Sequence, residues 1–127
     1  LVPGQHPDDI LKKLRAHLDL HGFKDVEILR SDGMLPHKDS ADDPLVQLSM
    51  QAGADAYGQE VRIDPLVGGS GPAYIFGRTL NMPIIYAGVN YPGGQFHAPN
   101  ENIILDNFIK GSKHVARIIN GFAGIEF

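Results

Sequence analysis

Two short strings in this sequence hold residue types able to do chemistry. The first is Gly68-Gly69-Ser70-Gly71-Pro72, which lies between a predicted strand and a predicted helix. A turn in that position aims unpaired backbone N–H groups, and the positive end of the helix dipole, at whatever occupies it. A carboxylate or a phosphate is the guest that such a turn suits. The string has neither the Lys beside Ser or Thr that a Walker loop needs nor the three spaced glycines of a dinucleotide fingerprint. On spacing alone, a tight turn with Ser70 as helix N-cap is the commoner meaning of the pattern, and a ligand loop the rarer one.

The second string is Tyr91-Pro92-Gly93-Gly94-Gln95-Phe96-His97-Ala98-Pro99-Asn100-Glu101, a long loop just after a predicted buried strand. In α/β folds, loops beyond the carboxyl ends of the strands line the active-site crevice, so this loop and the glycine turn are expected to converge. The imidazole of His97 could be a metal ligand, a general base or a solvated side chain, and a lone loop histidine is most often the last. A zinc site takes three or four ligands, and no other histidine clusters with His97 in the sequence. His17 and His21 stand one helical turn apart but flank an apolar stripe on a charged helix, which reads as a solvated face. His6, His37 and His114 read as surface residues. Asp39, Asp42 and Asp43 lack the regular spacing of a calcium loop, and Asp43 suits the cap of the helix that Pro44 opens. Spacing alone names no Ser/His/Asp triad and no carboxylate pair, hence no catalytic residue.

The elements that must position these strings are short. Pro7 suits the first position of a helix that Asp8 and Asp9 complement electrostatically, with Ile10, Leu11, Leu14 and Leu18 as its stripe and Gly22 as its stop. Val26 to Arg30 alternates as a half-buried strand would. Ser31 to Asp43 carries no periodicity and makes the best internal boundary. A helix then spans Pro44 to Tyr57 through Leu45, Leu48 and Ala52, with Gly58 as its stop. Val61 to Asp64 reads as a short strand, Pro72 to about Leu80 as a helix, and Pro83 to Val89 as a strand buried on both faces. A last helix is expected from about Asp106 to Asn120, with Phe108, Ile109, Val115, Ile118 and Ile119 facing inward. The alternation gives an α/β layer architecture with fewer strands than a comfortable sheet.

The chain has 127 residues, 43% of them hydrophobic and 20% charged, with 11 basic and 15 acidic side chains for a net charge of −4. Zero cysteine excludes disulfides and thiolate zinc. Mild acidity without a basic block argues against a nucleic-acid surface. No apolar run approaches the roughly 20 residues that span a bilayer, and the first residues are not a signal peptide. The expectation is therefore a cytoplasmic protein without a membrane or nucleic-acid partner. Residue 1 is Leu, followed by Val2-Pro3-Gly4, where a translation product would start with Met. We expect a chain that begins partway through something longer or has been processed.

Gly68-Gly69-Ser70-Gly71-Pro72, followed by His97-Ala98-Pro99-Asn100-Glu101, resembles the C-terminal part of the di-zinc exopeptidase/deacylase family, the metallopeptidase M-twenty family. Its members include carnosinase-type dipeptidases, succinyl-diaminopimelate desuccinylase, acetylornithine deacetylase, aminoacylase and glutamate carboxypeptidase. Leu1-Val2-Pro3-Gly4-Gln5 looks like the end of a lid-domain strand, and Asp43-Pro44-Leu45 like the opening of the next helix, so the resemblance runs through essentially the whole chain in order.

The resemblance implies an α/β fold: the C-terminal part of a zinc-exopeptidase-like catalytic domain, preceded by the end of an α+β lid (dimerisation) domain. Residues 1–40 would be the end of the lid, and residues 41–127 the C-terminal segment of the catalytic domain. It also implies hydrolysis of a peptide or N-acyl amide bond by metal-activated water, with zinc as cofactor, two ions per complete active site, or another divalent metal in its place. His97 is similar to the last metal ligand, Gly69 and Ser70 to the residues that hold the substrate's terminal carboxylate, and Asn100 and Glu101 to supports of the ligand loop. Gly71 departs from the pattern, where a larger apolar residue is usual.

The remaining ligands, the bridging aspartate and the paired glutamates would lie in an N-terminal half that this chain lacks, and a substrate-binding arginine just before residue 1. The implied partners are a peptide or N-acyl amino acid substrate, the missing half of the enzyme and a second copy paired through the lid. By this reading the isolated chain is an inactive fragment. The alternative is a free-standing interaction or dimerisation module derived from that family, pairing through the strand Val26 to Arg30.

Overall fold

A computed structural model describes residues 1–29, 33–65, 69 and 71–125. Four helices form, in the order α1 (Pro7–Leu20), α2 (Pro44–Tyr57), α3 (Ala73–Leu80) and α4 (Leu105–Phe122). They belong to two compact units. One comprises Leu1–Lys38 with Leu66–Ile84, the other Asp39–Pro65 with Ile85–Phe127.

The helices begin and end where local chemistry dictates. Pro7 occupies the first turn of α1, and the His6 side chain before it accepts from the Asp8 amide at 3.4 Å. At the other end Gly22 takes φ +84°, the Gly22 amide donates to Asp19 O and the Phe23 amide donates to Leu18 O. That pair of bonds is a Schellman stop, which needs a residue free to turn left-handed. Arg15 then fixes the chain beyond the stop. Its guanidinium donates to Val26 O at 2.5 Å and Phe23 O at 2.9 Å while pairing with Asp19 at 2.7 Å. For α2, the Asp43 carboxylate accepts from the Leu45 amide at 2.8 Å, and Gly58 ends the helix at φ +69°. Pro72, not Ser70, stands at the N-cap of α3, without a side-chain cap bond. Ser70 itself lies outside the described residues, as do Gly68 and Arg30.

The expected strands do not form among the described residues. Among the described residues Val26–Leu29, Val61–Asp64 and Pro83–Val89 carry no ladder. A strand exists only by exchanging hydrogen bonds with a neighbour in register, and none of these segments meets one. The Pro83–Val89 run is not buried on both faces either, because Tyr86, Ala87 and Gly88 are exposed. The α/β expectation is thus corrected, for the described residues, to helices joined by unladdered segments.

α2 and α4 are the helix pair that packs together. Their contact is built on small residues and one histidine. Ala52 and Gly53 of α2 are buried, as are Gly111 and His114 of α4. Val89 and Tyr57 close over Gly111, and Leu48 over Gly121. His114, expected on the surface, is only 6% exposed. Its Nε2 lies 2.8 Å from Ser49 O and 3.3 Å from Ser49 Oγ, and the Tyr57 ring meets it edge-on. A carbonyl can only accept, so Nε2 carries the hydrogen and donates it to the α2 backbone.

The face of α4 turned to α2 is therefore not the predicted one. Phe108, Ile109, Val115 and Ile119 are all exposed, and Ile118 is half-buried. Glycines let two helix backbones approach more closely than large side chains allow, and the apolar stripe is left facing away.

A side chain at Gly53 has no space. A Cβ there would sit 3.0 Å from Val61 Cγ2 and 3.3 Å from the His114 ring. Gly53→Leu should destabilise the protein by about 1–3 kcal/mol, as overpacking does, even after the gain in helix propensity. A lowered urea midpoint checks this, and an unchanged midpoint would mean that the helices do not pack through this glycine.

Candidate functional site

His97 sits in the loop between Val89 and α4, within the second unit. Its backbone is left-handed at φ +59°, flanked by Gln95 at +52° and Asn100 at +64°. Such a backbone costs about 1–2 kcal/mol at Gln95 and at His97 and less at Asn100, since asparagine visits this region, so the stretch stores a few kcal/mol of conformational strain. Such strain persists only where surrounding bonds over-determine the backbone.

Those bonds are visible. Gly94 is buried at the centre of the loop, its amide donating to Tyr91 O at 2.9 Å and its carbonyl accepting from the Asn102 amide at 3.0 Å. The Ala98 amide donates to Gln95 O at 2.9 Å, closing the turn that carries His97. The Asn90 side chain accepts from the Tyr91 amide at 2.9 Å. Across the loop the Tyr91 hydroxyl donates to Asn102 Oδ1 at 2.5 Å, and Asn102 Nδ2 donates to Asn100 O at 2.9 Å. The result is an exposed imidazole on a bonded frame, its ring stacked on Phe96 with centroids 4.1 Å apart.

The other sequence-picked residues fall as follows. Gly69 is exposed and belongs to the first unit, and a Cβ added to it would meet nothing within 4 Å. Ser70 lies outside the described residues. The rings of His17, in the last turn of α1, and His21, its C-cap, are exposed with centroids 4.4 Å apart. Asp43 caps α2, as expected. Asn100 supports the loop through its left-handed backbone and its carbonyl, and Glu101 is exposed.

Among the described residues no three His, Asp or Glu side chains stand together as a metal site. The donors present fit one corner of a metal centre: His97 offers an exposed imidazole on a bonded loop. They do not fit a whole one, since zinc takes three or four ligands.

The sequence profile of the peptidase family M20/M25/M40 matches residues 11–121. The chain belongs to this peptidase family. The crystal structure of an M20 family metallo-carboxypeptidase, Sso-CP2 from Sulfolobus solfataricus, is similar to it with a TM-score of 0.84 and 28% sequence identity. That match covers 98% of this chain and 29% of the other, so the chain spans less than a third of the carboxypeptidase's length. No curated protein matches the chain.

Within this M20 segment, sequence reading singles out the loop and His97 and does not reach the bond between Tyr91 and Asn102 that closes it. Their bond spans 11 positions, beyond any helix or strand period, and the available signal was the density of turn-forming residues, Asn90, Gly93, Gly94, Asn100 and Asn102.

Gly94 tests the frame. A Cβ there would crowd Asn90 Oδ1 and stand 3.1 Å from both Tyr91 O and Asn102 O. Gly94→Ala should speed hydrogen exchange at the Asn102 amide about tenfold, a loss of about 1.4 kcal/mol of local stability. Unchanged exchange would show that the loop does not depend on this approach.

Proposed function

We propose that this chain is the closing segment of a metal-dependent hydrolase that cleaves a peptide or N-acyl amide bond. Membership of the peptidase family carries the reading, and the exposed, bond-framed His97 supports it. In this proposal His97 gives one imidazole nitrogen to a centre of two zinc ions, or of another divalent metal. The other ligands and the general base come from parts of the protein outside these 127 residues. When bound, the metal supplies a polarised carbonyl and a water that is nucleophilic near neutral pH.

The chain's own contribution is binding and orientation. His97 presents its ring from a backbone that cannot rotate freely. Gly69 and Ser70 offer backbone N–H groups, and Ser70 a hydroxyl, to the terminal carboxylate of the substrate. The absence of a side chain at Gly69 leaves that approach open. The same proposal divides the chain near residue 40 into the end of a lid and a catalytic segment. It places a second copy of the protein on the lid, where Val26 and Leu29 are exposed on an unladdered segment. An exposed, unpaired stretch of backbone is a ready template for pairing.

The exposed apolar face of α4 supports a further part of the reading. Phe108 is 54% exposed and Ile119 70%. Large apolar side chains aligned along one helix face call for a covering partner, and the rest of the enzyme is the partner proposed.

The 127 residues alone should show no hydrolysis of dipeptides or N-acyl amino acids with zinc added. In the complete enzyme, His97→Ala should lower kcat/KM by at least about 100-fold and weaken zinc, consistent with loss of a ligand. Steady-state kinetics and chelator competition measure both. Brisk turnover by the 127 residues, or full zinc affinity in the variant, would overturn the proposal.

A further inference from the structure

The loop's bond pattern assigns a role to a residue that no motif marks. We infer that Asn102, held by Tyr91, is a positioning residue for His97: it fixes the left-handed turn from which the imidazole reaches the metal. The inference rests on the reading of His97 as a ligand. It adds the device that aims that ligand.

Three observations carry it. Of the four left-handed non-glycine residues among those described, Gln95, His97 and Asn100 all fall inside the span from Tyr91 to Asn102. Asn102 touches both limbs of that span. Its amide donates to Gly94 O, its Nδ2 donates to Asn100 O and more weakly to Gly93 O at 3.5 Å, and its Oδ1 accepts from Tyr91. The same residue lies three positions before α4, the helix that packs on α2. Asn102 is therefore the junction between a strained turn and a packed helix.

Only a carboxamide serves here. The bonds to Asn100 O and Gly93 O need a donor, and the bond from the Tyr91 hydroxyl needs an acceptor, on one short planar group. Asp would keep the tyrosine bond and lose the two donated ones. Ala would lose all the side-chain bonds and leave only the backbone bond to Gly94. A left-handed histidine between two other left-handed residues would then relax to the ordinary right-handed or extended regions.

The test uses the intact protein with selectively labelled histidine, and zinc alone as the probe. In metal-free protein a left-handed His97 gives a strong intraresidue cross-peak between its amide and α protons. Asn102→Ala should weaken that peak to the level of an ordinary right-handed or extended residue, and Asn102→Asp and Tyr91→Phe should weaken it in part while keeping the fold. In the zinc-loaded enzyme Asn102→Ala should lower metal affinity about 10–100-fold by chelator competition, the range seen for groups that orient a metal ligand. His97→Ala should lower it further. An unchanged cross-peak in both Asn102→Ala and Tyr91→Phe overturns the positioning role. Weak zinc in His97→Ala with full zinc affinity in Asn102→Ala also overturns it and leaves the ligand reading standing. Full affinity in His97→Ala overturns the ligand reading, and the role of Asn102 toward metal falls with it. Should Asn102→Ala fail to fold, the Tyr91→Phe cross-peak decides the matter.

Discussion

The close approach of α2 and α4 is the constraint on which the second unit depends. Gly53 and Gly121 remove side chains that would hold the two backbones apart, and the space is filled from the facing helix by His114 and Leu48 respectively, while Gly111 makes room for Val89 of the preceding segment beside the Tyr57 hydroxyl. The bond from His114 Nε2 to Ser49 O then fixes how α4 lies along α2, because a backbone carbonyl inside a helix offers one direction of approach. A buried polar ring without that acceptor would cost a few kcal/mol, so the bond is a condition of the packing rather than an addition to it.

The loop that carries His97 inherits its rigidity from this pair. Val89, just before the loop, is pressed against Gly111, and Asn102 at its other end leads directly into α4. Both stems are therefore tied to one helix, and the strain of three left-handed residues is borne by that anchorage together with the bonds across the loop. A free loop of this length would relax and take its histidine with it. The physical meaning of the turn-rich string is thus closure: Gly94 brings the two limbs into contact, and Asn102 with Tyr91 holds them there.

How much of this was legible in the sequence follows from range. Helix ends are local chemistry, so Asp43, Gly58, Pro7 and Gly22 marked them within a residue or two. Strands are not local. Val26–Leu29 and Pro83–Val89 have the composition of strands, but a ladder requires a partner in register, and that information does not reside in the segment. The apolar stripe of α4 predicts an inward face, but the contact with α2 forms on His114 and Gly121 instead. His114 is buried against expectation: polarity identifies a residue that dislikes burial, but not the carbonyl one helix away that makes burial tolerable. The family resemblance reached the peptidase through two spaced strings and picked His97. It was silent on Tyr91 and Asn102, whose partnership only folding creates.

The misread face of α4 has a physical sequel. Among the described residues, Leu45 and Ala52 are the buried hydrophobic side chains. Burial of a leucine contributes about 1.5–3 kcal/mol, about what ordering one or two residues' backbone costs, and the smaller Ala52 adds less. The apolar groups that would ordinarily balance that entropy are present: Phe108, Ile109, Val115 and Ile119 on α4, Ile75 and Phe76 on α3, Leu14 and Leu20 on α1. They are exposed rather than missing. They lie on α1 and α3 in one unit and on α4 in the other, and within each unit the described residues leave them uncovered. On the proposed reading of His97 as a ligand, its fixed loop holds the imidazole in place beforehand, since a single ligand holds no metal until the surface proposed to carry the others is seated against it.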